Sequence, residues 1–204
     1  MSIDRFKKDF PYDFSISPQG YDYCSMTEKD AEEHFYWFLA NVPLRIKYLN
    51  SFCAGSVKLD FSYESLIDLW KFFLSIAKIE VIPEDIRKEL QKKYSSFGDD
   101  FVGTHRLSTS TEYLVRDIGI YLSEVFKKTS SKIYWSFSIS PKSYFFVNRP
   151  MLAGFVDTNF DPPFLCECDP IHLVGVQASK LLSCDHDKND LYNMALVWKE
   201  KIKR

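Results

Sequence analysis

Five cysteine and histidine residues late in the chain carry the side chains that zinc prefers. They are Cys166, Cys168, His172, Cys184 and His186. Zinc is usually held by four such ligands in a tetrahedron. Their spacing does not match a familiar zinc finger, because a single residue separates Cys166 from Cys168. The alternative is small buried cysteines beside ordinary histidines, and we expect neither a metal nor another cofactor.

A second candidate is the carboxylate pair Asp117 and Glu124, seven residues apart on a predicted helix. That spacing is two helical turns, so both side chains lie on one face with Tyr121 between them. Paired carboxylates can serve as general acid and base, or bind a divalent cation. The alternatives are a solvated helix face with ordinary salt bridges, or a polar groove where this helix meets the strand that carries Trp135.

No other residues form a catalytic signature. His105 is predicted to lie in a loop, where catalytic residues are common. No cysteine has a partner nearby in the sequence that would activate it as a nucleophile, and no glycine-rich phosphate loop is present. We therefore predict no catalytic residues. The alternative is a metal-dependent or acid–base hydrolase that uses Asp117, Glu124 and His105, or the cysteine and histidine group.

The composition limits what the chain can bind. Of its 204 residues, 46% are hydrophobic and 17% aromatic, which is enough apolar surface for one sizeable core. The net charge of −2 gives no broad basic field, so we expect no nucleic-acid partner. Residues Met1 to Phe10 are charged, and no run reaches the ~20 apolar residues that span a bilayer. We therefore expect a cytoplasmic protein with reduced cysteines and no membrane partner.

Helix start signals organise the chain after an extended arm over residues 1–26. Thr27 is followed by acidic residues and predicts the cap of a first helix. Pro43 interrupts the apolar pattern, and a second helix is predicted to begin there because proline is tolerated in a first turn. Ser62 precedes a third, strongly apolar helix that we expect to be buried centrally.

Two more helices flank an acidic loop in the middle of the chain. Pro83 opens a short charged helix that ends near residue 94. The loop over residues 95–104 contains Asp99 and Asp100 and is predicted to lie on the surface. Thr109 and Glu112 have the spacing of a capping box, and they predict a helix that ends near residue 128.

The sheet is predicted from three apolar runs in the second half of the chain. These runs cover residues 132–139, 142–148 and 151–156, and Asp161 to Pro163 end the strand region. Asp169 and Pro170 then start a helix that reaches about residue 183, and Asp187 starts the last helix. The result is an α+β protein: six or seven helices packed against a small antiparallel sheet, in a single domain over residues 1–204.

Part of the second half resembles a group of small bacterial proteins. The resemblance is carried by Asp117-Ile-Gly-Ile-Tyr-Leu-Ser-Glu124, by Trp135, by Asn148-Arg-Pro150 and by Gly154-Phe155. Some proteins of this group are similar to immunity proteins that are encoded beside polymorphic toxins. The resemblance implies a cytosolic protein that binds and blocks a toxin domain, and it implies no catalytic residues.

These observations favour a cytoplasmic protein-binding module, in the form of a toxin-neutralising immunity protein. Its acidic residues would meet a basic toxin domain, and its aromatic residues would anchor the contact. The predicted binding residues are Asp99, Asp100, Asp117, Tyr121, Glu124 and Trp135. The alternatives are the hydrolase described above and a structural or phage-type accessory protein that works as a homo-oligomer.

Overall fold

In a computed structural model of the chain, residues 23–98 and 101–202 are described. The six α-helices are α1 (Glu28–Phe52), α2 (Ser65–Ile76), α3 (Glu84–Lys93), α4 (Thr109–Thr129), α5 (Pro170–Ser179) and α6 (Asp190–Glu200). The strands are β1 (Ile79–Val81), β2 (His105–Leu107), β3 (Tyr134–Ser136), β4 (Met151–Asp157) and β5 (Phe164–Cys168). The predicted α+β class is confirmed. Residues 1–22 of the predicted arm lie outside the described residues, as do Asp99 and Asp100.

Helix α1 is one continuous helix, so the predicted break at Pro43 is wrong. Thr27 caps it as expected, in a capping box with Asp30. The buried positions Ala31, Phe35, Phe38, Val42, Arg45 and Leu49 keep helical spacing on both sides of the proline. Because this face packs on the core along its whole length, burial outweighs the backbone hydrogen bond that Pro43 removes.

Helix α4 runs through the centre of the molecule and is capped by Ser108, whose side chain accepts a hydrogen bond from the Thr111 backbone N–H. The predicted capping box at Thr109 is therefore one residue out of place. Residues on every side of α4 are buried, including the polar Ser110, Arg116 and Ser123. The other elements surround α4, and the predicted solvated face does not exist.

Helices α4 and α5 approach each other closely at Gly119. A Cβ atom at this position would lie 2.6 Å from the Ile171 Cα, which is too near for any real side chain. Asp169 holds the start of α5, because its carboxylate accepts a hydrogen bond from the His172 backbone N–H at 2.9 Å. This start was predicted correctly from the Asp169–Pro170 pair.

Strands β1 and β2 form a two-stranded antiparallel sheet that the sequence analysis did not predict. Each strand has three residues, too few for an alternating pattern to be recognised. They form the base of an excursion, residues 79–107, that leaves the body of the protein after α2 and returns at α4. His105, which was predicted to lie in a loop, is in β2.

The second sheet has the order β3-β4-β5, and both of its ladders are antiparallel. The predicted strand over residues 142–148 is wrong, because this segment forms successive turns and Asn148 adopts a left-handed φ of 62°. The strand that begins at Met151 is confirmed. Asp161 to Pro163 do not end the sheet but lie in the connection to β5, an additional strand.

Gly154 lies at an irregularity in β4, where the register with β5 shifts. Only glycine adopts its φ of +100° without strain. In addition, a Cβ atom at this position would lie 2.1 Å from the Lys132 carbonyl oxygen, which is too close. The motif Gly154-Phe155 therefore belongs to a β-bulge. The bulge lets β4 pass close to the segment before β3.

One large apolar cluster joins most of these elements. It includes the stacked rings of Trp70 and Phe73, with centroids 4.5 Å apart, and the edge-to-face pair of Phe126 and Phe155 at 5.6 Å. The last described residue, Ile202, forms an isolated bridge with Phe155. Among the helices of the described residues, none is long and apolar enough to cross a bilayer.

Candidate functional site

Asp117 lies in the protein interior, fully shielded from solvent. Its Oδ1 accepts hydrogen bonds from Arg45 Nε at 2.9 Å and from Arg116 Nε at 3.1 Å, and its Oδ2 accepts one from Arg45 Nη2 at 2.6 Å. The expectation that Asp117 faces solvent or a partner is wrong. The side chain instead ties α1 to α4 through charge-assisted, partly bidentate bonds.

Both arginines of this ion cluster are themselves buried. The Arg45 guanidinium lies 5.6 Å from the Tyr48 ring centre, and that of Arg116 lies 5.0 Å from the Tyr113 ring centre. Burial lowers the pKa of Arg116 from its ordinary value, and the charge of Asp117 opposes that change. The aromatic faces and the shared carboxylate together compensate charges that water does not reach.

Tyr121 is also a structural residue. Its buried hydroxyl oxygen accepts a hydrogen bond from the Phe61 backbone N–H at 2.8 Å and lies 2.7 Å from Ser65 Oγ. Its ring stacks on Phe61 with centroids 5.1 Å apart. Burial raises the pKa of Tyr121. The hydroxyl therefore stays protonated and fixes the segment that leads into α2.

Glu124 and Trp135 do not complete a surface with Asp117. The half-buried Glu124 carboxylate pairs with Lys127 Nζ at 2.9 Å, one turn along the same helix. Trp135 packs edge to face against Phe38 at 4.9 Å, and its buried indole Nε1 has no hydrogen-bond partner within the described part of the chain. The four predicted binding residues on α4 and β3 are thus mostly packing residues, and the carboxylate pair does not form an acid–base site.

The cysteine and histidine group does not converge on a point. Cys166 and Cys168 lie in β5, whereas His172, Cys184 and His186 are exposed. Burial raises the pKa of Cys168 well above its ordinary value, so its thiol is held in the form that binds metals poorly. Within residues 23–98 and 101–202, no three histidine, cysteine, aspartate or glutamate side chains are grouped to hold a metal ion.

Phe97, the most exposed aromatic residue in the described part of the chain, belongs to a group of rings on the excursion instead. Tyr94, Phe97 and Phe101, which we call the aromatic tip, form a cluster in which the Phe97 and Phe101 rings stack at 4.8 Å. Tyr94 lies 6.4 Å from Phe97 and 5.7 Å from Phe101, between ring centroids. Phe97 is 67% exposed and Phe101 57%. Two stacked rings therefore remain largely in contact with water, beside the half-buried ring of Tyr94.

The excursion is held at its base and buries little elsewhere. The Ile82 backbone N–H donates to the Thr104 carbonyl at 2.9 Å, and that of Ser108 donates to Lys78 at 2.8 Å. Helix α3, between these points, has no buried residue. Because α3 contributes nothing to the core, the aromatic tip at its end has no evident packing role.

Sequence reasoning placed an acidic loop here but missed its aromatic residues. Asp99 and Asp100, the predicted binding residues of this loop, lie outside the described residues, between Phe97 and Phe101. The available signal was the pair of phenylalanines on either side of Gly98 and the two aspartates, in a segment rich in charge. Large apolar residues in a polar loop with little to bury against indicate a contact surface.

Comparisons with known proteins return no relative from which a role could be transferred. No protein-family model matches the chain, no curated protein matches its sequence, and no solved structure matches its fold. The resemblance to immunity proteins therefore stays a prediction. What the chain does has to be argued from its own surface.

Proposed function

We propose that the chain is a cytoplasmic protein-binding module and that the aromatic tip is its docking surface. The observation that carries the proposal is the stacked, exposed pair Phe97 and Phe101 on an excursion whose helix has no fully buried residue. Exposed rings that are already stacked lose little conformational freedom when a partner covers them. Clustered aromatic residues of this kind are typical interface hot spots.

The partner that fits this surface is a protein with an apolar pocket and a basic rim. In the sequence, Asp99 and Asp100 lie between Gly98 and Phe101, so two carboxylates separate the phenylalanines of the aromatic tip. Opposite charges around an apolar centre accelerate association and select the partner. A basic toxin domain has this chemistry, so the specific form of the proposal is an immunity protein that neutralises such a domain.

The test is binding to the product of the neighbouring gene, purified and titrated by calorimetry. Phe97→Ala with Phe101→Ala should weaken binding at least about 100-fold, since each hot-spot ring contributes about 2 kcal/mol or more. The matched control is Tyr36→Ala with Phe145→Ala, which removes two rings outside the excursion and outside β5 that are 61% and 63% exposed. That control should bind like the unmodified chain.

Charge is tested separately with Asp99→Asn and Asp100→Asn. These changes should slow association and reduce its salt dependence, with a smaller effect on dissociation. Failure of the neighbouring product to bind, or equal losses of affinity in the aromatic-tip variant and the control variant, would reject the aromatic tip as the docking surface. Rescue of growth when the chain is produced together with that product distinguishes neutralisation from simple binding.

A further inference from the structure

Strand β5 forms the outer edge of the β3-β4-β5 sheet. Its inner side pairs with β4, from Asp157 opposite Phe164 to Leu152 opposite Cys168. On its outer side, no backbone hydrogen bond joins β5 to any other segment among the described residues. An edge of this kind presents a row of unused donors and acceptors to a further strand.

The direction in which the backbone groups of β5 point can be deduced from a hydrogen bond that β4 makes on its side away from β5. The Val156 N–H donates to the Lys201 carbonyl at 2.8 Å, so it points away from β5. Val156 is the register partner of Leu165, and such a pair directs the N–H and C=O of both residues away from each other. The Leu165 backbone groups therefore face the open edge. Those of Glu167, two residues on, face it as well.

The side chains at this edge are apolar, whereas natural edge strands usually carry residues that prevent pairing with another chain. Leu165 is 76% exposed, and Phe164 and the nearby Phe160 are each 60% exposed. No lysine, arginine or proline occurs within Phe164–Cys168. Its single charge, Glu167, accepts a hydrogen bond from the Tyr144 hydroxyl at 3.1 Å. Lysine, proline and inward charges are the usual means of preventing edge pairing, and within Phe164–Cys168 there is no lysine or proline; Pro163, just before the strand, removes one N–H from its end.

We propose that the open edge of β5 pairs with β5 of a second copy of the chain. The strands run antiparallel about a twofold axis, so that Leu165 of each copy lies opposite Leu165 of the other. The two Leu165 residues exchange their outward N–H and C=O groups. The Glu167 N–H donates to the Pro163 carbonyl of the other copy, while the Glu167 carbonyl, opposite a proline without an N–H, stays in contact with water. The two three-stranded sheets then form one continuous sheet of the dimer.

A second copy fits this edge because the pairing is self-complementary. In this register the exposed Leu165 side chains meet each other, and Phe164 faces Cys166 of the other copy. The two Glu167 carboxylates lie about 13 Å apart along the strands, so like charges do not oppose each other. Moving the axis by one residue to Cys166 would instead place each Glu167 against Leu165 and cover a carboxylate with an apolar side chain.

The contact is small, so the dimer is weak. The two exposed phenylalanines of each copy offer roughly 240 Å² of aromatic surface. A standard interface buries about 800 Å² on each partner. Sedimentation equilibrium from about 1 µM to about 1 mM covers the dissociation constants expected for a contact of this size. The unmodified chain should shift from monomer to dimer within this range.

Two substitutions at Leu165 test the edge. Leu165→Lys places a charge at the axis, and Leu165→Pro removes an N–H that makes no bond to β4. Both should stay monomeric at every concentration, with an unchanged circular dichroism spectrum. Val197→Lys, a comparably exposed position on α6, should dimerise like the unmodified chain. A chain that is monomeric at about 1 mM, or dimers that survive both Leu165 changes, would overturn the proposal.

The register is tested by oxidative crosslinking. Cys24, Cys166 and Cys184 are first replaced by serine, while the buried Cys53 and Cys168 remain. Leu165→Cys in this background places two thiols on opposed residues about 5.5 Å apart between Cα atoms, within the range of a disulfide. It should crosslink readily, and Glu167→Cys should not. Equal crosslinking of the two variants, or none of either, would contradict the Leu165 axis.

Discussion

At the residue scale, the ion cluster of Arg45, Arg116 and Asp117 combines two cations with one anion in the interior. Removing water from a charge costs several kcal/mol, and only a close opposite charge with good hydrogen bonds offsets that cost. Asp117 is the carboxylate that bonds to both guanidiniums. Its charge therefore matters more to stability than that of any exposed carboxylate.

Asp117→Asn should destabilise the protein by about 3–5 kcal/mol, because the substitution keeps the shape but removes the buried negative charge that both guanidiniums bond to. Urea unfolding followed by circular dichroism gives the change in the free energy of unfolding. Asp68→Asn is the control: its ion pair with Lys71, at 3.2 Å, is exposed on both sides. That change should cost about 0.5 kcal/mol or less. A similar small cost for Asp117 would show that water reaches the cluster.

The burial of Asp117 could not be predicted from local sequence. Its main partner, Arg45, lies 72 residues away, and the pair forms only when α1 crosses α4. A carboxylate and an arginine in amphipathic helices usually belong to solvated faces. The aromatic tip differs, since two phenylalanines beside an acidic turn are a local signal. That part of the candidate site could have been found before the fold was known.

At the element scale, the α4–α5 pair depends on one missing side chain. The Gly119 Cα approaches the Ile171 backbone so closely that a methyl group could fit only if the helices moved apart. Gly175, on α5, faces the same interface but has room, because its nearest neighbour would be Val115 Cγ1 at 3.9 Å. The two glycines therefore separate the effect of close packing from that of helix propensity.

Gly119→Ala should destabilise the protein by about 1–3 kcal/mol, because overpacking against backbone exceeds the gain in helix propensity. Gly175→Ala should be neutral or stabilise it by up to about 1 kcal/mol. Thermal unfolding of both variants measures the difference in sign. Stabilisation by both substitutions would mean that α4 and α5 lie farther apart than the structure places them.

Helices were predicted better than strands for a physical reason. Capping residues act on their own neighbours, so Thr27, Pro83 and Asp169 locate helix starts without tertiary information. Strand identity depends on a partner strand. The aromatic run over residues 142–148 has strand-like composition but forms turns, and β5 follows two prolines that indicated an end. Continuous burial on both sides of Pro43 likewise depends on what α1 packs against.

At the scale of the whole molecule, stability is unevenly distributed. Helix α4 is buried on every side and contacts the core throughout, whereas α3 has no buried residue. The excursion joins the body through the Lys78 and Ser108 backbones at its base. A region with few buried contacts can open while the rest stays folded. The proposed docking surface thus lies on the part of the molecule that opens most easily.

Hydrogen exchange should separate these two regions. Peptides from α4 should exchange only through global unfolding, and their protection should fall steeply when urea is added, because global opening exposes much surface. Peptides from α3 should exchange much faster, with little dependence on urea, because local opening exposes little. Mass spectrometry at several urea concentrations measures both slopes. Equal slopes for α3 and α4 would show that the excursion unfolds with the core, and the partner would then meet a surface as rigid as the interior.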